Sequence, residues 1–188
     1  MKVAVASELD DVTLARARTG DRAALELLIE MYQDRVFALI WRMLLGGRDR
    51  THDLAQETFV RVLRGIAGFD PRGTAKLSTW ILTIATRVVM NERRRAGRDK
   101  AELDPDAITA VAYIDDTVER KRIAEALIAG IAKLPDDQRA VFVLREYHEL
   151  EYADIAAALE LPENTVRSRL HRARTALRDE LRARGVEP

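Results

Sequence analysis

Tyr152-Ala153-Asp154-Ile155-Ala156-Ala157-Ala158-Leu159-Glu160-Leu161-Pro162-Glu163-Asn164-Thr165-Val166-Arg167-Ser168-Arg169-Leu170 reads as two short helices broken by a proline turn. The small residues Ala156–Ala158 permit a second helix to approach closely. Pro162 ends the turn, and Glu163 or Asn164 is expected to cap the helix that follows. At about 100° per residue, Val166, Leu170, Ala173 and Leu177 form a narrow inward stripe. Asn164, Arg167, Ser168, His171 and Arg172 collect on the opposite side. Arginine can grip a guanine edge with two hydrogen bonds, while serine and asparagine bind base edges or phosphates. An Arg-rich helix alone reads as solvated surface. Behind a short helix and a proline turn, it reads as the second helix of a helix-turn-helix, the one that enters the major groove.

Working outward, the apolar period stays helical. Val118–Ala132 carries Ile123, Leu127, Ile128 and Ile131 at helical spacing, and Pro135 opens Asp136–Glu146. Toward the N-terminus, a short helix near Val12–Thr19 precedes a long one over Arg22–Leu45, capped by Asp21 and stopped by Gly46-Gly47. His52–Ile66 follows, with Leu54, Phe59, Val62, Leu63 and Ile66 on one side. Ser78 then opens a helix to about Arg95 that buries Trp80, Ile81, Ile84, Ala85 and Val88. No stretch alternates as a strand would. The fold class is all-α, in two small helical domains, residues 1–96 and 117–188. Between them, 97–116 reads as an acidic linker with a short helical turn near Ala107–Ala112.

The chain has 188 residues, no cysteine, and 31 basic against 31 acidic side chains. The missing cysteines exclude disulfide scaffolds and thiolate zinc sites. The longest uncharged run is ten residues, Leu77–Thr86, about half of what spans a bilayer. The N-terminal apolar stretch is too short for a signal peptide, so no membrane insertion and a cytoplasmic location are expected. The zero charge is a sum of unlike parts. Residues 1–100 carry 18 basic and 13 acidic groups, 101–134 carry 4 and 7, and 135–188 carry 9 and 11, giving +5, −3 and −2. From Arg167 to Arg184 seven arginines face only Asp179 and Glu180. Local charge sets the field that a phosphate backbone meets, so neutrality overall does not argue against nucleic acid.

The helix over 79–95 divides like the later one. Opposite its apolar stripe lie Thr83, Thr86, Arg87, Met90 and Arg94. The preceding loop brings Phe69, Lys76, Thr79 and Trp80. Aromatic groups beside cations can stack on unpaired bases while the cations hold the backbone, although Phe69 and Trp80 also fit a core. On the helix before, Asp53, Gln56, Glu57 and Val60 follow i, i+3, i+4, i+7, a polar ridge that suits a basic partner helix or plain solvent.

Three stretches together carry a resemblance. Asp53-Leu54-Ala55-Gln56-Glu57-Thr58-Phe59 resembles the polymerase-binding helix of bacterial sigma factors. Leu77-Ser78-Thr79-Trp80-Ile81-Leu82-Thr83-Ile84-Ala85, ending in Asn91-Glu92-Arg93-Arg94-Arg95, is similar to their promoter-melting helix. Leu134-Pro135-Asp136-Asp137-Gln138-Arg139, through Thr165-Val166-Arg167-Ser168-Arg169-Leu170-His171-Arg172-Ala173-Arg174, is similar to their C-terminal helix-turn-helix. Order, spacing and length resemble the extracytoplasmic-function (ECF) group of the sigma-70 family over roughly Asp10–Leu181.

The resemblance implies an alternative sigma factor that directs RNA polymerase core to promoters and initiates transcription, with no cofactor and no catalysis. Asp53, Gln56, Glu57 and Val60 would meet the β′ clamp helices, and the second domain the β flap. Phe69, Lys76, Thr79, Trp80, Thr83, Arg87 and Arg94 would open and read the −10 strand of promoter DNA. Asn164, Thr165, Arg167, Ser168, His171 and Arg172 would read the −35 duplex. The linker would run toward the RNA exit region, and an anti-sigma factor is an implied partner. Thr86-Arg87 stands where the family often has Arg-Asn, Asn91 where aspartate is common, and Asn164 where glycine is frequent. His171 replaces larger or aromatic groups of some members.

Two other classes fit less well. A dimeric repressor would bind duplex operator DNA unaided at two half-sites. An enzyme finds no support: His52, His148 and His171 are scattered, His148-Glu149 lacks a second histidine four residues on, and there is no Gly-rich phosphate loop or serine-elbow motif.

Overall fold

A computed structural model describes residues 8–73, 75–95 and 118–186 of the chain. Among these residues there are eight α-helices and no strand. The expected linker, with its possible turn near Ala107–Ala112, lies outside the described residues.

The first unit holds α1 (Asp11–Arg18), α2 (Arg22–Leu44), α3 (Arg48–Gly65) and α4 (Leu77–Arg95), with a 3-10 turn at Ile66–Gly68. Its starts and stops follow from local chemistry. Asp10 accepts the Thr13 amide and Asp21 accepts the Ala24 amide, both at 2.9 Å, satisfying donors that a helix N-terminus leaves open. α2 ends as Leu45 turns left-handed (φ 67°) and donates its amide to the Trp41 carbonyl. Gly46 and Gly47 continue with positive φ, which glycine adopts without steric cost. α3 therefore begins at Arg48, four residues before the apolar period announces it. Its first turn, Arg48-Asp49-Arg50-Thr51, carries no apolar side chain for a period to register.

The start of α4 is fixed from a distance. The Glu8 carboxylate accepts the Ser78 amide (3.2 Å), the Ser78 hydroxyl and the Tyr32 hydroxyl (3.0 Å). Burial pushes the Tyr32 phenol up to about 12, keeping it a donor. Leu28, Val36, Leu39 and Ile40 of α2 pack with Leu54 and Val62 of α3 and Ile81, Leu82 and Val88 of α4, all buried. Leu63, expected on the buried side of α3, is instead exposed, as is Ile123 in the second unit.

The second unit holds α5 (Val118–Lys133), α6 (Asp136–Glu146), α7 (Tyr152–Leu159) and α8 (Glu163–Ala183). Gly130 lets α5 lie close to α8: a Cβ there would stand 2.8 Å from a Leu177 methyl. Ile155, Val166, Leu170 and Leu177 close the core of α7 and α8.

The two units pack on each other, and the apolar core runs from one into the other. The Arg139 guanidinium is buried. It donates to the carbonyls of Ile131, Ala132 and Leu134 at the end of α5, and across the units to Met43 at 3.3 Å. Arg93 of α4 reaches the same Met43 carbonyl and pairs with Asp136 at 2.6 Å. Burial, with Arg93 close by, pulls the Arg139 pKa down to about 10, so it stays protonated at neutral pH. Arg42 of α2 lies 4.5 Å from the Tyr147 ring centre, a cation–π contact.

Candidate nucleic-acid interface

Helix α8 has the division expected of it. Val166, Leu170, Ala173 and Leu177 are buried, while Asn164, Arg167, Ser168, His171 and Arg172 are exposed and Thr165 is half-buried. Arg167 pairs with Glu163 at 3.1 Å and leans over Tyr152. The Ser168 hydroxyl donates to the Thr165 carbonyl at 3.0 Å. His171 and Arg172 make no hydrogen bond or ion pair among the described residues. The cap differs from expectation. Pro162 takes the N-cap position, and no side chain accepts the first amides of α8. Glu163 sits one residue too late to cap, in the first turn, where its carboxylate serves Arg167 instead. The amides of that first turn thus lack a side-chain acceptor, a setting that favours an anion at the helix start.

Helix α4 requires corrections. Phe69 and Thr79, expected on the reading surface, are buried at 7% and 8% exposure. Phe69 lies 5.3 Å from Trp80, ring centre to ring centre, and the Trp80 edge covers Gly65. The aromatic pair is a packed wedge between the 3-10 turn and α4, with Trp80 half-buried. Thr79 contributes its carbonyl, which accepts the Thr83 hydroxyl at 2.8 Å. Thr86, read as outward from the helical wheel, is completely buried, its hydroxyl donating to the Leu82 carbonyl. The wheel could not anticipate α7, which packs against this side of α4. Lys76, Arg87 and Arg94 are exposed and Thr83 is half-buried.

Arg87 is nonetheless occupied. Its guanidinium donates to the carbonyls of Ala157 (3.3 Å) and Ala158 (3.4 Å) and pairs with Glu160 at 3.2 Å. A cleft of about 300 Å³ remains between the two helices, lined by Thr86, Arg87, Met90, Asn91 and Arg94 on one wall and Ala158, Leu159 and Glu160 on the other.

On α3, Asp53, Gln56, Glu57 and Val60 are all exposed along one ridge, with Glu57 paired to Arg61. Beside it lies a groove that the sequence reading missed. It holds about 710 Å³ between α2 and α3, and Ile29, Phe37, His52, Phe59, Val60 and Leu63 form much of its wall. Val60 and Leu63, 44% and 36% exposed, were its available signal. A ridge of acid and amide beside an open apolar trough suits an amphipathic partner helix.

Comparison with known proteins bears on these surfaces. Residues 28–99 match the family model described as Sigma-70 region 2, and residues 124–177 match that of Sigma-70, region 4. The chain is 31% identical over 180 residues to the ECF RNA polymerase sigma factor SigW of Bacillus subtilis, covering 90% of this chain and 95% of that protein.

The chain belongs to the ECF group of the sigma-70 family.

Similarity to the RNA polymerase sigma-H factor of Pseudomonas aeruginosa agrees: 33% over 181 residues, covering 90% and 92% of the two chains. Among solved structures, the sigma factor RpoE of Bartonella quintana, in complex with the anti-sigma factor NepR, has the same fold. Its TM-score is 0.65 at 20% identity, covering 84% of this chain and 96% of that one. This sigma factor therefore carries a region 2 in its first unit, where α3 and α4 lie, and a region 4 in its second, where α8 lies. Among its described residues no helix is long and apolar enough to cross a membrane.

Proposed function

We propose that this sigma factor directs RNA polymerase core to particular promoters by reading the −35 duplex with α8 and the −10 strand with α4. The observation that carries this reading is the face of α8: Asn164, Arg167, Ser168, His171 and Arg172 stand exposed on a helix whose opposite stripe is the core of its unit. Arg172 and His171 are the base readers. Thr165, Ser168 and the uncapped first turn set the helix against the phosphates. On α4 the reading groups are Lys76, Trp80, Thr83, Arg87 and Arg94. Trp80 is held at its angle by Phe69, and neither Phe69 nor Thr79 touches DNA.

The ridge Asp53, Gln56, Glu57 and Val60, with the groove beside it, takes the β′ clamp helices, and the second unit meets the β flap. The domains run over residues 1–96 and 117–188, and the acidic segment between them follows the path of the RNA. An anti-sigma factor holds the chain inactive in the cell, a reading supported by the anti-sigma complex of the Bartonella structure. Gel filtration with core polymerase tests the docking half: the chain is expected to co-elute with core. Separate elution at micromolar concentrations would contradict it.

A further inference from the structure

We infer that Glu8 is a positioning residue for the −10 reading face: its carboxylate sets the first turn of α4, so that Lys76 and Trp80 meet the strand in a fixed geometry. This rests on the reading of α4 proposed above and adds to it a residue that does not itself touch DNA.

Three observations meet at Ser78. The first is what the local sequence does not supply. Lys76 stands immediately before α4, and its side chain holds only donors, so it cannot accept an amide of the first turn. Glu8, seventy residues away, does so instead, taking the Ser78 amide at 3.2 Å and the Ser78 hydroxyl. Its negative charge also suits the positive end of a helix. The second is that the acceptor is itself held. The Tyr32 hydroxyl donates to the Glu8 carboxylate at 3.0 Å and accepts the Leu9 amide at 3.2 Å, and both Tyr32 and Leu9 are buried. The third is location. Ser78 is buried, with the exposed Lys76 two residues before it and the half-buried Trp80 two after. Trp80 donates its amide to the Lys76 carbonyl at 3.0 Å, so one turn of helix joins the two reading groups around the residue that Glu8 holds. Upstream, Asp70 accepts the Arg72 amide at 2.9 Å, and Phe69 packs on Trp80. Trp80 is thus oriented twice: its ring by Phe69 and its backbone by Glu8. A first turn that loses an acceptor frays, and a strand that met a frayed turn would have to order it on binding.

Full-length variants bound to core polymerase test this. Two probes come from one promoter mapped by its transcript starts: the −10 element as single-stranded DNA and the −35 element as duplex. Glu8→Ala is expected to weaken strand binding about ten-fold and to leave duplex binding unchanged. Glu8→Gln, which keeps an oxygen acceptor without the charge, is expected to show a smaller loss, and it carries the test if Glu8→Ala does not fold. Asp10→Ala removes the equivalent acceptor from α1 and is expected to change neither affinity. In a Trp41→Phe background, Glu8→Ala is expected to shift the emission of Trp80, the remaining tryptophan, to longer wavelength. An unmoved emission, strand and duplex binding that fall together, or an equal effect of Asp10→Ala would overturn the positioning role. Strand binding unchanged in Glu8→Ala, while Lys76→Ala and Arg94→Ala weaken it, would overturn that role alone. If those two variants also left it unchanged, the reading of α4 would fall with it.

Discussion

Arg172 is the side chain on which sequence and structure agree most simply. It sits two residues beyond the buried Leu170 and one before the buried Ala173, so its outward direction follows from helical phase, and the structure leaves it exposed. A base-reading arginine discriminates by roughly 1–3 kcal/mol. Arg172→Ala is expected to weaken binding to the cognate −35 duplex, within the polymerase complex, by about that much. Equal loss on a scrambled duplex would make it a phosphate contact. His148 offers a residue-scale prediction of another kind. It is buried, both ring nitrogens lack partners, and Arg42 and Arg35 lie near it. Burial first, and those arginines second, push its pKa from 6.5 down to about 3. Above pH 6.5 the ring is neutral folded or unfolded and costs nothing. Below it the unfolded chain takes a proton that the folded one refuses, so stability falls progressively toward pH 3. Between pH 6.5 and 5 this amounts to about 2 kcal/mol. His148→Phe is expected to flatten the melting temperature over that window. Parallel profiles for the two proteins would remove His148 as the cause.

At the scale of elements, what was legible is what a helix decides for itself. The inward stripe of α8 and the outward ridge of α3 follow from period alone, and Asp21 caps α2 as its side chain predicts. What was not legible depends on partners distant in sequence. The first turn of α3 has no apolar marker, and the start of α4 is set by Glu8, seventy residues away from Ser78. Thr86, outward on the wheel, is buried on the side of α4 that shares a cleft with the end of α7. The aromatic pair Phe69 and Trp80 satisfied two readings in sequence, and the geometry of the 3-10 turn places Phe69 in the core. The ridge of α3 carries its own prediction. Glu57 is exposed and paired only along its own helix with Arg61, an exposed pair that contributes a few tenths of a kcal/mol to stability. Glu57→Lys is therefore expected to leave the melting temperature nearly unchanged while weakening association with core polymerase about ten-fold or more. Undiminished association would remove Glu57 from the docking face.

For the whole molecule, the neutral sum of 31 basic and 31 acidic groups is the total of surfaces with separate tasks. Arg94 of α4 and Arg167 and Arg172 of α8 are exposed where nucleic acid is proposed to bind. Glu160, at the end of α7, pairs with Arg87 of α4, and Asp53 and Glu57 of α3 face outward where polymerase is proposed to dock. A free chain with a large positive charge would bind DNA of any sequence, since that binding is set by phosphate contacts and salt. Partition allows strong local fields without that outcome. The measurement that bears most directly on this account is transcription from fragmented genomic DNA by core polymerase, with and without the chain, with transcript starts mapped. Discrete starts that appear only with the chain, preceded by a shared pair of elements at −35 and −10, are the predicted result. The same starts with core alone, or no transcript with the chain present, would contradict it.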